Sequence, residues 1–272
     1  MWRAFAAYFP ARLVKTADLD PAGHYLLVAH PHGILALSSW LSFATDATGF
    51  SAAFPGVDLR VATLESNFRV PLLREYCLLH GLCGAGRAEL NTILSGKPGQ
   101  SVLLVVGGAA EALLASPGSY DLVLNARKGF VRLAMKSGAS LVPVIAYGET
   151  DTFHTYIPAP SSRAAAVIRS IKRTCGFSTP LCWGTGLFGG EFLAAAVQPY
   201  RTLTLAGWGF LPLSTPLTTV IGPPLAVEQV PQPSDAQVDA VHAQYVRSLK
   251  QLWADTADKY GKGHRRELAI VL

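Results

Sequence analysis

Tyr25-Leu26-Leu27-Val28-Ala29-His30-Pro31-His32-Gly33 is an apolar run that stops at a Pro/Gly-punctuated polar cluster. An apolar run of this length bounded by turn residues reads as a buried strand that ends and turns. The turn would present two imidazoles at the end of a sheet, and His is the side chain that most readily exchanges a proton near neutral pH. The plain alternative is a pair of ordinary loop histidines. Outward from this strand, further short strands are expected at residues 57–64, 101–106, 140–146 and 217–221. Helical patterns lie between and after them, at 35–45, 71–79, 89–94, 127–136 and 236–260. Short, largely apolar strands alternating with helices predict an α/β fold, a mostly parallel sheet flanked by helices.

The 272 residues suffice for one large domain, and residues 1–272 read as a single unit without repeat or low-complexity linker. Half the residues are hydrophobic, 15% are charged, and the mean hydropathy is +0.29. That composition excludes disorder and leans toward apolar contact. The net charge of +5 suits anionic partners such as phosphorylated cosubstrates or lipid head groups, and is too diffuse for nucleic acid. The four cysteines, Cys77, Cys83, Cys175 and Cys182, have no zinc-ligand spacing, so no metal is expected and free thiols on a reducing side are. The long uncharged stretch 202–227 contains Pro212, Pro216, Pro223 and Pro224, which rule out a regular spanning helix. Aromatic and apolar pieces at 1–10, 34–44 and 175–192 could instead lie against a bilayer, with residues 1–20 as a membrane-proximal segment; the alternative is that they are core.

A second polar cluster interrupts the run 102–106 at Gly107-Gly108-Ala109-Ala110-Glu111. Two glycines at a strand end allow close backbone approach to a ligand. Glu111 would then steady an imidazolium or hold a substrate hydroxyl, or simply sit at a helix N-terminus. Lys128, Arg132 and Lys136 recur every four residues, a basic stripe that either binds phosphate or is solvated. The last helix opens with a capping box, Ser234 and Gln237, and carries the stripe Val238, Val241, Tyr245, Leu249, Leu252. It reads as packing without chemistry.

These clusters also form an ordered set of motifs. Tyr8-Phe9-Pro10 and H-P-H-G precede N-F-R-x-P-x-x-R-E (Asn67 to Glu75) and V-V-G-G-A-A-E (Val105 to Glu111). R-K-G-F-V-x-L-A (Arg127 to Ala134), L-V-P-V-x-x-x-G-E (Leu141 to Glu149) and G-x-G-L-F (Gly184 to Phe188) follow. In this order the chain resembles the type-2 diacylglycerol acyltransferase family over nearly its whole length. The resemblance implies a fold like that of glycerolipid acyltransferases, with membrane-contacting segments. It implies an enzyme of the cytosolic face of the endoplasmic reticulum and of lipid droplets that moves a fatty acyl group from acyl-CoA, as cosubstrate and without a further cofactor, to diacylglycerol. Monoacylglycerol, a fatty alcohol or a homo-oligomeric state stay open. Members of that family carry a membrane hairpin ahead of Y-F-P, whereas Tyr8 here stands seven residues after Met1. Membrane binding by other means is one expectation, an upstream segment the other. Residues 189–206 separate G-x-G-L-F from Trp208-Gly209 and read as an insertion.

Acyl transfer asks for a base to take the alcohol proton and donors for the oxyanion. His32 is the expected base, His30 its support or substitute, and Glu111 the charge behind them. Backbone amides near Gly33, Gly107 and Gly108 are the expected donors. Arg69, Arg127 and Lys128 are expected on the CoA phosphates, and Asn67 and Glu149 belong to the substrate site through their motifs. A G-x-S-x-G nucleophile elbow is absent, which argues against a serine hydrolase. Gly184 to Gly189 spells a dinucleotide fingerprint, but no acid follows at the required distance. A non-catalytic lipid-binding protein is the remaining rival.

Overall fold

The structure, a computed structural model, describes residues 1–159, 161–163, 166, 170, 181–186, 209–261 and 267–271. Seven strands form the main sheet: β1 (Arg12–Lys15), β2 (Tyr25–His30), β3 (Asp58–Thr63), β4 (Leu82–Gly84), β5 (Gln100–Leu104), β7 (Ser140–Tyr147) and β10 (Thr218–Ile221). Their spatial order is β1-β10-β7-β2-β5-β3-β4. All neighbouring pairs are parallel except β10 with β7. The mostly parallel sheet expected from the apolar runs is therefore present.

Successive side chains on a strand face opposite ways, so β2 divides its residues between two cores. Leu26 and Val28 join one apolar core with Val102, Leu141 and Tyr245. Leu27 and Ala29 join the other, with Phe43, Phe50, Phe54 and Cys77. Covering both faces makes every position of β2 buried, which is why it reads as a continuous apolar run. Helices Arg87–Leu94 and Gly129–Ser137 and the long helix Asp235–Tyr260 pack on the first face. The long helix starts with the expected capping box of Ser234 and Gln237.

Several short elements escaped the sequence. β1 and β4 are edge strands of four and three residues, and β6 (Tyr120–Val123) pairs in parallel with β11 (Leu268–Val271) away from the main sheet. Another short pair, β8 (His154–Tyr156) with β9 (Leu181–Trp183), runs antiparallel. Runs this brief carry too few residues for a period to show. The predicted helix 35–45 is in fact two pieces, Leu37–Ser39 and a π-helical turn Trp40–Ala44. Its side chains Leu37, Leu41 and Phe43 are buried, so this segment is largely core rather than a surface laid on a bilayer. Of segment 1–10, Ala6 and Phe9 are buried as well. Three thiols, Cys77, Cys83 and Cys182, are free, and burial pushes Cys83 up to about 12. The expected insertion 189–206, Cys175, Trp208 and most of 175–192 lie outside the described residues.

Candidate active site

A parallel sheet gathers the C-terminal ends of its strands along one edge, where ligands bind in open α/β folds. His30-Pro31-His32-Gly33 follows β2, Asn67 follows β3, Gly107-Gly108 follows β5 and Glu149 follows β7. Motifs up to 119 residues apart in the chain thus meet at one place.

His32 lines a cavity of about 430 Å³ together with Leu35, Asn67, Val105, Gly108 and Ala109. Its Nδ1 lies 3.1 Å from Gly33 O. A carbonyl only accepts, so Nδ1 carries the proton and Nε2 is left with its lone pair. Burial lowers the His32 pKa, with the Gly33 contact opposing, so the ring is neutral at pH 7. The result is an unprotonated imidazole nitrogen at a cavity wall.

His30, two residues earlier, is turned the other way. It is 1% exposed and is absent from the cavity lining. Its Nε2 meets the Tyr245 hydroxyl at 3.0 Å, and that hydroxyl donates to Val28 O at 3.3 Å. With its one proton so used, the hydroxyl accepts from Nε2–H, and His30 Nδ1 has no partner among the described residues. Burial drives the His30 pKa down to about 3. The structure therefore puts His30 behind the cavity and not at its wall. Tyr245 on the last helix thus adds a hydrogen-bonded anchor at the strand end to the packing expected of that helix.

Glu111 is buried behind the His32 turn. It reaches the backbone of this turn and not an imidazole: Oε2 accepts from His32 N–H at 2.6 Å and Oε1 from Val123 N–H at 3.0 Å. One carboxylate thereby ties the β2 turn, helix Gly108–Ala112 and β6 together. Burial raises its pKa to about 7 against the pull of those two amides and of Arg127. Gly107 leaves room for this carboxylate, since a Cβ there would strike Glu111. Glu149 acts similarly on the far side. Fully buried, it accepts from Leu37 N–H at 2.8 Å and Ser38 N–H at 2.7 Å and so caps the helix after the His32 turn. Burial raises its pKa. Gly33 has φ +58°, and a Cβ on it would lie 2.6 Å from Glu149 Cγ. Glu149 thus supports the turn from behind and does not line the His32 cavity.

The remaining expected residues divide. Asn67 is at the cavity wall, where its Nδ2 donates to Thr63 Oγ1 at 3.0 Å. Gly108 and Ala109 line the same wall in a helical turn without a side-chain cap. Arg69 is exposed and lines none of the clefts described here. Arg127 and Lys128 line a neighbouring cleft of about 340 Å³ that shares Ala85, Leu104 and Val105 with the His32 cavity. Lys128 pairs with Asp239 at 2.6 Å and Arg132 with Asp235 at 2.5 Å, so two of the three cations of the basic stripe are answered by the long helix.

A family model described as diacylglycerol acyltransferase matches residues 1–271. The chain belongs to the diacylglycerol acyltransferase family. Diacylglycerol O-acyltransferase 2B of Umbelopsis ramanniana is 38% identical over 275 residues, covering 100% of this chain and 74% of its own. Diacylglycerol O-acyltransferase 2 of Danio rerio is 38% identical, over 99% of this chain and 71% of its own. Human 2-acylglycerol O-acyltransferase 3 is 40% identical, over 96% and 72%. Among solved structures, the 1-acyl-sn-glycerophosphate acyltransferase of Thermotoga maritima aligns with a TM-score of 0.46 at 10% identity, over 94% of this chain and 77% of that one.

For this acyltransferase-family chain, sequence reasoning missed Tyr245 and Arg87. Tyr245 occupies an apolar stripe position and looks like core. Arg87 opens a helix and belongs to none of the quoted motifs, yet it stands in two clefts beside the site.

Proposed function

We propose that this protein transfers a fatty acyl group from acyl-CoA to the hydroxyl of diacylglycerol, forming triacylglycerol. The observation that carries the reading is His32 Nε2, held unprotonated at the cavity wall by the Nδ1–Gly33 contact. His32 takes the acceptor's hydroxyl proton as the oxygen attacks the thioester carbonyl. The tetrahedral oxyanion is met by backbone amides of the uncapped turn at Gly108 and Ala109. Collapse breaks the carbon–sulfur bond, and the imidazolium returns its proton to the CoA sulfur. Base catalysis of this kind contributes about 10²–10⁴ in rate, and one well-placed oxyanion donor about 10²–10³. Neither step needs a covalent acyl-enzyme. Arg127, in the adjoining cleft, is assigned to the CoA phosphates, while Lys128 beside it is held by Asp239.

Monoacylglycerol is the second acceptor to weigh, because a relative named for 2-acylglycerol is 40% identical. We also assign the protein to the cytosolic face of the endoplasmic reticulum and to lipid droplets. Among the described residues no helix is long and apolar enough to cross a membrane. Leu35 and Leu64, both exposed, stand at the wall of the His32 cavity, and Leu72 and Leu79 are 83% and 84% exposed nearby in sequence. An insoluble acceptor favours a site that opens where apolar side chains meet lipid.

The test is transfer from labelled oleoyl-CoA to diacylglycerol, monoacylglycerol and a fatty alcohol side by side, using the membrane fraction. Labelled triacylglycerol supports the reading. Free fatty acid alone would make the protein a hydrolase, and binding without turnover a lipid-binding relative. Flotation with liposomes, followed by salt and carbonate washes, tests the membrane assignment; a chain left at the bottom of the gradient refutes it.

A further inference from the structure

A third cleft, of about 290 Å³, continues the line of cavities that starts at His32. It lies between helices Arg87–Leu94 and Gly129–Ser137 and shares Arg87, Gly129 and Leu133 with the Arg127 cleft. The order along the surface is His32, then Arg127, then Lys136, with Arg87 on the wall of the last two clefts.

The charges along this line are unequal. Lys128 and Arg132 are neutralised by Asp239 and Asp235. Arg87, Arg127 and Lys136 have no ion-pair partner among the described residues, and no carboxylate lines either cleft. Glu89, on the Arg87 helix, lies instead against Gly84. A Cβ on Gly129 would stand 4.0 Å from Arg87 Nη2, so the guanidinium approaches the start of the Gly129–Ser137 helix. That start has no side-chain cap, and its first amides add a positive partial charge. Unpaired cations around a concave, carboxylate-free wall are built for a polyanion.

An acyl-CoA carries its charges in a matching order: thioester, pantetheine, diphosphate, then the ribose 3′-phosphate. Resting on the acyl-CoA reading above, we propose that Arg87 and Lys136 hold the 3′-phosphate of the CoA nucleotide, with Arg127 on the diphosphate between them and His32. The protein then reads the nucleotide end of its donor and distinguishes CoA from 3′-dephospho-CoA. The guanidinium of Arg87 offers its planar fork to phosphate oxygens, and Lys136 adds a point charge.

The experiment measures binding of free CoA and free 3′-dephospho-CoA to the detergent-solubilised full chain, and KM and kcat with the two oleoyl thioesters. The wild type should bind CoA about tenfold more tightly than the dephospho form, the size of one charge-assisted contact. Arg87→Ala and Lys136→Ala should each weaken CoA about tenfold by the same measure. Both should leave dephospho-CoA and kcat nearly unchanged, while Arg87→Lys recovers part of the preference. Arg247→Ala, an exposed cation on the long helix, controls for general charge loss. Equal binding of the two nucleotides by the wild type overturns the proposal, as does a preference that survives Arg87→Ala and Lys136→Ala together. Arg87-dependent CoA binding without transfer to any acceptor would uphold this site and overturn the transfer reading instead.

Discussion

The two histidines of one tetrapeptide sit in opposite surroundings. His30 is sealed on the face of the sheet beneath the long helix, hydrogen-bonded to Tyr245. His32 stands past the strand end at a cavity wall, its backbone held by Glu111 and its ring by Gly33. Strand parity explains the split. Leu26, Val28 and His30 share one face, so the last position of β2 meets the same helix as the positions before it. Beyond Pro31 the strand has ended and parity no longer applies. Under the mechanism proposed above, one imidazole is placed to react and the other holds the strand end in place.

His32→Ala is the change that should break this comparison most clearly. Transfer should fall by about 10²–10⁴, with the thermal midpoint close to wild type because the ring is only half-buried. Turnover near normal at matched protein level would remove His32 as the base. His30→Ala should do the reverse in kind. Deleting a buried ring and stranding the Tyr245 hydroxyl costs about 2–4 kcal/mol of stability. A variant that folds as well as wild type but is dead would instead place His30 in the chemistry.

Glu111→Gln sharpens the contrast from the side of His32. A Gln offers one acceptor oxygen to two amides and turns its NH₂ on the other. The His32 turn should shift, and kcat should fall about tenfold with KM little changed, as for an effect felt in the transition state. A change in KM alone would make Glu111 a binding residue. The same variant has a signature in pH. His30 titrates near 3 folded against 6.5 unfolded, so the unfolded chain binds more protons between these values and stability drops as pH falls below 6.5. Glu111 titrates near 7 folded against 4.5 unfolded, so the folded chain binds more protons there and stability drops as pH rises toward 7. Between pH 4.5 and 6.5 the two slopes, each about 1.4 kcal/mol per unit, oppose one another. Without Glu111 the His30 slope is uncovered, and Tm should climb with pH more steeply than in the wild type. Parallel Tm profiles would refute this pairing of shifts.

The smallest expected effect belongs to Tyr245→Phe. It removes one hydroxyl between His30 and Val28 and should cost about 1 kcal/mol, with kcat reduced severalfold at most. A loss as deep as that of His32→Ala, measured in the same assay, would erase the distinction between the two histidines.

Much of this was legible in the chain. Apolar runs stopped by Pro31 and by Gly107-Gly108 marked β2 and β5 and their ends, because a strand buried on both faces is apolar along its length, while β7 carries Pro143 in its middle and runs on to Tyr147. Once the sheet is parallel, the segments after β2, β3, β5 and β7 necessarily share an edge, so the motifs converge wherever they stand in sequence. What each side chain does at that edge was decided by the tertiary structure. The residue types of Glu111 and Glu149 suit chemistry, but only the fold shows both spent on backbone amides. Tyr245 reads as core until a helix from the far end of the chain sets it on His30. Asp235 and Asp239 likewise quench Arg132 and Lys128 and leave Arg87, Arg127 and Lys136 without a salt bridge among the described residues. Periodicity records which face of its own element a residue occupies; it carries nothing about the partner that a distant element delivers to that face, and hydrogen bonds and ion pairs act only at contact distance.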